Sequence, residues 1–158
     1  MYRTGIGLDS HLLVAGRPLI LGGVSIPHER GLLGHSDADA LVHALCDALL
    51  GATADGDIGL HFPDKDPQWK GADSMTLLAL VVARVTRAGW RIVNTDATIM
   101  AEAPKMAPHT LAMRTRLAEV MEINISQVSV KAKTNEGMDA VGRREGIFVM
   151  ATALVERV

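Results

Sequence analysis

With 158 residues the chain is long enough to close a hydrophobic core without disulfide or metal staples, and one catalytic domain over 1–158 is expected. Its 16 basic and 18 acidic side chains leave a formal charge of −2, which gives no pull toward nucleic acid or an anionic membrane, so neither is expected as a partner. The single Cys46 excludes an internal disulfide and suits a reducing compartment, and no apolar run has transmembrane length, so a cytoplasmic protein or a processed plastid form is expected.

Aromatic residues make up only 3% of the chain, so the core must be built from Leu, Val, Ile, Ala and Met. In chain order, residues 2–13 and 18–27 read as extended, with Gly22-Gly23 at a bend. A first helix is predicted from about Asp37 to Leu50, burying Leu41, Leu45, Ala48 and Leu49 at spacings of three and four. The stretch 56–71, rich in Gly, Pro and Asp, reads as an irregular loop, and a loop of that length inside a compact domain is usually functional. A second helix, about Ser74 to Ala88, stops at Gly89. A strand from Trp90 to Glu102 follows, then a helix from Pro108 to Glu122, and last two strands, 127–134 and 146–155. This order predicts an α+β fold near a ferredoxin-like arrangement, a mostly antiparallel sheet with helices on one face.

Three residues carry metal chemistry. Asp9 and His11 are two apart on a strand and so share a face. His43 lies one turn inside the first helix, where a histidine has little capping use. Two histidines and a carboxylate leave a tetrahedral ion one open position, the pattern of catalytic zinc; the same set also describes a non-haem iron triad. Asp47, one turn beyond His43, is expected to hold the His43 ring. Ser36 and Asp39 match a Ser-x-x-Asp helix start, in which Asp39 acts as a cap, and Asp37 suits the first turn. Anion chemistry is signalled separately by Lys105 before the third helix, by Lys131, Lys133, Thr134 and Glu136 at a strand end, and by Arg143 and Arg144 in a glycine-rich turn. Asp57, Asp64 and Asp66 offer acceptors for sugar or polyol hydroxyls. Together these residues point to metal-dependent chemistry on a sugar phosphate or nucleotide.

The segments "GIGLDSH", "GHSDADALVH", "GDIGLHFPDKD", "APKMAPH" and "VKAKTNEG" with "GRREGI" run in unbroken order through the chain, which closely resembles the 2-C-methyl-D-erythritol 2,4-cyclodiphosphate synthase family. The resemblance implies a homotrimer with active sites at subunit interfaces, and release of CMP as 4-diphosphocytidyl-2-C-methyl-D-erythritol 2-phosphate cyclises. It implies one zinc per subunit on Asp9, His11 and His43, and a Mg2+ or Mn2+ held by Glu136 through the diphosphate. His35 and Thr134 match positions assigned to transition-state stabilisation. Ser36, Asp57, Ile58, Gly59 and the stretch Phe62, Pro63, Asp64 to Asp66 match the methylerythritol side. Ala101, Lys105, Met106, Ala132 and Lys133 match the cytidine and diphosphate side. Arg143 matches a phosphate-binding arginine and, with Glu145, the neighbourhood of the trimer axis, where an isoprenoid diphosphate is a further expected ligand; binding there without turnover is the alternative role. The chain departs from the family pattern at Met138, Asp139 and Ala140, at Lys133, and at Leu8 and Ser10.

Overall fold

The computed structural model describes all 158 residues. Strand β1 (Tyr2–Ala15) is followed by three short strands, β2 (Leu19–Leu21), β3 (Val24–Ile26) and β4 (Arg30–Leu32). Helix α1 (Ala40–Thr53), the single turn α2 (Ile58–His61) and α3 (Ser74–Arg87) lead to β5 (Trp90–Met100). Then come α4 (Thr110–Met121), β6 (Val128–Lys133), the short α5 (Asp139–Gly142) and β7 (Gly146–Arg157). The main sheet has the order β4-β1-β7-β5-β6, with β5 and β6 parallel and every other pair antiparallel. The stretch 18–27 is not one bent strand but a hairpin. Gly22 and Gly23 both have positive φ, +60° and +69°, as a two-residue turn matched to the strand twist requires.

Alternation along the strands sorts the two faces of the sheet. Ile147, Val149, Ala151, Ala153 and Val155 of β7 are buried, as are Ala97 and Ile99 of β5, and α1 packs across this face. Ten of the fourteen α1 residues are buried, so this helix is the centre of the core rather than a covering layer. The opposite face exposes Ile6, Leu8, Leu12 and Met150.

Two glycines set how closely α1 lies on β1. A Cβ on Gly5 would stand 1.9 Å from the Ala48 carbonyl oxygen, and one on Gly7 would stand 1.8 Å from that of Ala44. Helix backbone therefore rests directly on strand backbone, and this brings His43 within reach of Asp9.

The first helix begins at Ala40, three residues later than the periodicity predicts. Asp39 is its cap, accepting from the Val42 N–H at 3.1 Å, so residues 37–39 belong to the incoming turn. The Asp39 carboxylate is fully buried and also accepts from the N–H groups of Gly22 (2.9 Å) and Gly23 (2.7 Å), so it pins the hairpin turn to the helix. Burial outweighs these bonds and pushes its carboxyl up to about 6. The stretch 56–71 is less irregular than expected: it holds α2 and a 3-10 turn at Pro67–Trp69.

Candidate metal centre and ligand pocket

Asp9 and His11 point from β1 to the helix side, and His43 comes down from α1 to meet them. Asp9 Oδ2 is 2.9 Å from His11 Nε2 and 3.1 Å from His43 Nδ1, and the three donor atoms lie within 4.8 Å of one another. Zinc bonds of 2.0–2.1 Å in a tetrahedron place donors about 3.4 Å apart, so the set fits a divalent ion. His11 Nδ1 donates to the Leu33 carbonyl at 2.7 Å, which turns the buried Nε2 inward to face Asp9. Burial pushes the Asp9 carboxyl up, but the two imidazoles beside it outweigh this and hold it below the ordinary range. Burial likewise pushes the His11 imidazole down, and Asp9 reverses that and holds it above its usual value.

Asp47 does not hold the His43 ring. Its carboxylate accepts from the Ile58 N–H at 2.7 Å, because the first amide of α2 has no partner within its own helix. His43 Nε2 instead meets the Ser74 hydroxyl at 2.9 Å and, less closely, that of Ser36 at 3.2 Å. Asp37 is not part of a first helical turn either: it receives the Ser74 hydroxyl and, at 3.1 Å, the Ser74 N–H.

The metal triad forms the floor of a cleft of about 510 Å³. Of the residues expected on the substrate side, the cleft brings together His35, Ser36, Ile58, Gly59, Phe62, Pro63 and Asp64. Asp57 and Asp66 are not on its wall. They cap α2 and the following 3-10 turn, accepting from the N–H groups of Leu60 (2.8 Å) and Gln68 (2.9 Å). Sequence reasoning did not single out Trp69, which packs edge-on against Phe62 with centroids 5.0 Å apart, nor Leu77; neither carries a chemical signal in the sequence. The His35 Nε2 atom is buried with no partner. Both ends of the segment over the cleft are tied down, the first by the Ile58 bond to Asp47 and the last by the Gly71 N–H on the His35 carbonyl at 3.0 Å.

The remaining expected residues form a second cluster. Parallel pairing sets Met100 beside Lys133, so the ends of β5 and β6 bring Ala101 to Met106 and Ala132 to Glu136 together. Ala101 donates to the Lys133 carbonyl at 2.9 Å, and Thr134 Oγ1 donates to Glu136 at 3.1 Å. Ala101 and Met106 are core residues, whereas Lys105, Lys133 and Thr134 are exposed. His11 pairs with Ile147 and Met100 with Phe148 on the shared neighbour β7, so both clusters lie at one end of the sheet. Two strand spacings, about 10 Å, separate β1 from β5. The cleft and the β5–β6 cluster are thus separate within the chain. Arg143 is exposed and forks onto Glu145 at 2.7 and 3.2 Å.

A model of the YgbB family matches residues 2–156. The chain belongs to the YgbB family. The 2-C-methyl-D-erythritol 2,4-cyclodiphosphate synthase of Dechloromonas aromatica (strain RCB) is 59% identical over 157 residues, covering 99% of this chain and 98% of the relative. Its namesake from Burkholderia mallei (strain SAVP1) is 58% identical over 156 residues, covering 99% and 96%. Among solved structures, the bifunctional IspDF from Campylobacter jejuni superposes with a TM-score of 0.97 at 38% identity over 100% of this chain, which spans 43% of that longer chain. A 2C-methyl-D-erythritol-2,4-cyclodiphosphate synthase in a CDP-bound form superposes with a TM-score of 0.90 at 39% identity, covering 98% and 100%. The resemblance read from the motifs and the α+β class are both borne out.

Proposed function

We propose that this chain is a single-domain 2-C-methyl-D-erythritol 2,4-cyclodiphosphate synthase, a phosphorus–oxygen lyase that cyclises 4-diphosphocytidyl-2-C-methyl-D-erythritol 2-phosphate and releases CMP. The observation that carries this reading is the convergence of Asp9, His11 and His43 on the floor of a cleft walled by His35, Ser36 and the segment from Ile58 to Asp64. In the reaction the 2-phosphate oxygen attacks the β-phosphorus of the same molecule. A new P–O bond forms, and the bond to the CMP oxygen breaks with its electron pair leaving on CMP. The attacking oxygen is already anionic, so the chain need supply no general base; its work is to hold the reacting atoms in line and to balance charge.

Zinc on the triad, with Mg2+ or Mn2+ at Glu136, would supply Lewis-acid neutralisation of the phosphates. His35, with its unpartnered nitrogen, and the Ser36 hydroxyl face the phosphate side, Asp64 faces the polyol, and Phe62 and Trp69 exclude water. Lys105, Thr134, Ala132 and Lys133 serve the nucleotide diphosphate. An oxygenase would have no use for that cluster, which argues against the non-haem iron reading.

The apolar face of Ile6, Leu8, Leu12 and Met150 is continuous on adjacent strands, and a face of this kind is rarely left to water. Its proposed occupants are two further copies of this chain. In such a trimer a neighbour's β5–β6 end completes each cleft, and Arg143 and Glu145 lie near the axis, suited to an isoprenoid diphosphate. The ferredoxin-like description and a cytoplasmic location belong to the same proposal, the latter supported by the lone buried Cys46 and by bacterial relatives. The test is CMP release from the diphosphocytidyl substrate, wild type beside His43→Ala. Removal of a ligand is expected to cost several kcal/mol of barrier lowering, on the order of a 1,000-fold rate loss. Absence of CMP with metal-loaded wild type would overturn the reading.

A further inference from the structure

We infer that Asp37 and Ser74 are positioning residues that fix the tautomer of His43 and leave its Nδ1 bare toward the metal. The inference rests on the metal reading above and deepens it. Ser74 is fully buried at the start of α3, and its hydroxyl stands between two groups, Asp37 Oδ1 and His43 Nε2. A serine hydroxyl has one proton to give, and the Asp37 carboxylate oxygens are acceptors here, one taking the Ser74 hydroxyl and the other the Ser74 N–H. The Ser74 proton therefore goes to Asp37, and the 2.9 Å bond to His43 can form only if Nε2 carries the proton and donates it to the Ser74 oxygen. A neutral imidazole has a single N–H; Asp9 Oδ2, 3.1 Å from Nδ1, is the rival acceptor for it, but Nε2 faces the nearer Ser74 oxygen at 2.9 Å with Ser36 behind it, so the proton stays on Nε2 and the Nδ1 lone pair is left for the metal.

Ser36 does not compete for this role. Its oxygen accepts from the Ala38 N–H at 3.1 Å and approaches Nε2 at 3.2 Å as a second, weaker acceptor, so its own proton is free for the cleft. The dyad is itself rigidly placed. The Ser74 N–H donates to Asp37 Oδ2 at 3.1 Å and the Asp37 N–H donates to the Ala72 carbonyl at 3.1 Å, so the two segments are joined by backbone as well as side chain. The same result is reached for His11 by a carbonyl, Leu33, in place of the dyad.

Outer partners of metal-bound histidines are worth 10–100-fold in affinity. Three measurements on the chelator-treated full chain test the inference. Zinc affinity, by competition with a chromophoric chelator, is expected to fall about 10–100-fold in Ser74→Ala and in Asp37→Asn. The double variant is expected to lose no more than the worse single one, because both substitutions break one relay. The imidazole 15N spectrum of the metal-free wild type at about pH 9.5, well above the ordinary imidazole pKa, is expected to show His43 protonated on Nε2, with that preference lost in Ser74→Ala. A wild-type His43 protonated on Nδ1 overturns the inference even if neither variant folds. Zinc affinities of both variants within threefold of wild type overturn it too, as does full additivity in the double variant. A wild type that shows the Nε2–H tautomer but takes up no zinc would support the relay and overturn the metal reading alone.

Discussion

Gly7→Ala tests whether the strand–helix seam sets the metal cage. A Cβ at this position would meet the Ala44 carbonyl oxygen at 1.8 Å, with the Ala48 nitrogen at 2.7 Å and the Ala44 carbon at 2.8 Å, all of them backbone atoms with no rotamer to change. Bringing 1.8 Å out to an ordinary contact of 3.4 Å requires the seam to open by about 1.6 Å. Overpacking of a core costs about 1–3 kcal/mol, and a backbone obstacle belongs at the upper end. At about 2–4 °C per kcal/mol for a chain of this size, the melting temperature should drop by about 6–12 °C. His43 precedes Ala44 on the helix and Asp9 lies two residues beyond Gly7, so the opening also spreads the ligands, which tolerate displacements of only about 0.2 Å. Zinc affinity should fall with stability. Gly51→Ala is the matched control: only the Ile6 carbonyl lies near its added Cβ, at 3.8 Å, so this helical glycine should gain about 0.4–1 kcal/mol. Differential scanning calorimetry with a zinc titration reads both. A Gly7→Ala protein melting within 2 °C of wild type and binding zinc normally would refute the reasoning.

Other perturbations probe other parts of the fold. Asp39→Ala removes the α1 cap and leaves the Gly22 and Gly23 N–H groups without their acceptor, so urea denaturation should show a loss of about 3 kcal/mol or more. In metal-free protein the Asp9–His11 pair gives stability a pH window. The lowered Asp9 carboxyl contributes fully above about pH 3.9 and loses its contribution as pH falls through its folded value. The raised His11 imidazole contributes fully below about pH 6.5 and loses its contribution as pH rises through its folded value. The urea midpoint of chelated protein should therefore carry a maximum between about pH 4 and 6.5 that His11→Gln flattens, while zinc binding tightens toward alkaline pH as protons leave the ligands. Leu8→Glu places a charge in the middle of the uncovered sheet face and should convert the proposed trimer to monomers in sedimentation velocity; a variant that sediments as a trimer would assign assembly to another surface.

The triad was legible because its geometry is local: period two on β1 puts Asp9 and His11 together, and a histidine inside an apolar helix is conspicuous. The partner of His43 was not. Spacing along α1 nominated Asp47, but an unpaired amide at the start of α2 claims that carboxylate, and the real partner lies 31 residues away on another helix. Ser74 and Asp37 both looked like ordinary helix-start residues. The start of α1 departs from the periodicity for a related reason: Asp39 ends the turn as a cap where periodicity alone runs the helix back to Asp37. Asp57 and Asp66 carried acceptor chemistry that the backbone uses for capping, and sequence cannot tell a carboxylate engaged by its own chain from one open to a ligand. The sheet order was hidden because β7, last in the chain, inserts between β1 and β5.

The strip that walls the cleft resembles a bridge deck with fixed abutments, clamped at Ile58 and again at Gly71, with Pro63, Asp64 and Lys65 at midspan. Load at midspan reaches the cation cage through those clamps and through His61, which meets the Asp55 carbonyl at 2.6 Å, and Phe62, which packs against the core. Under the proposed function, lengthening or rewriting the crest would alter which polyol is admitted while the cage keeps its grip, so selectivity and metal retention would fall to separate residues.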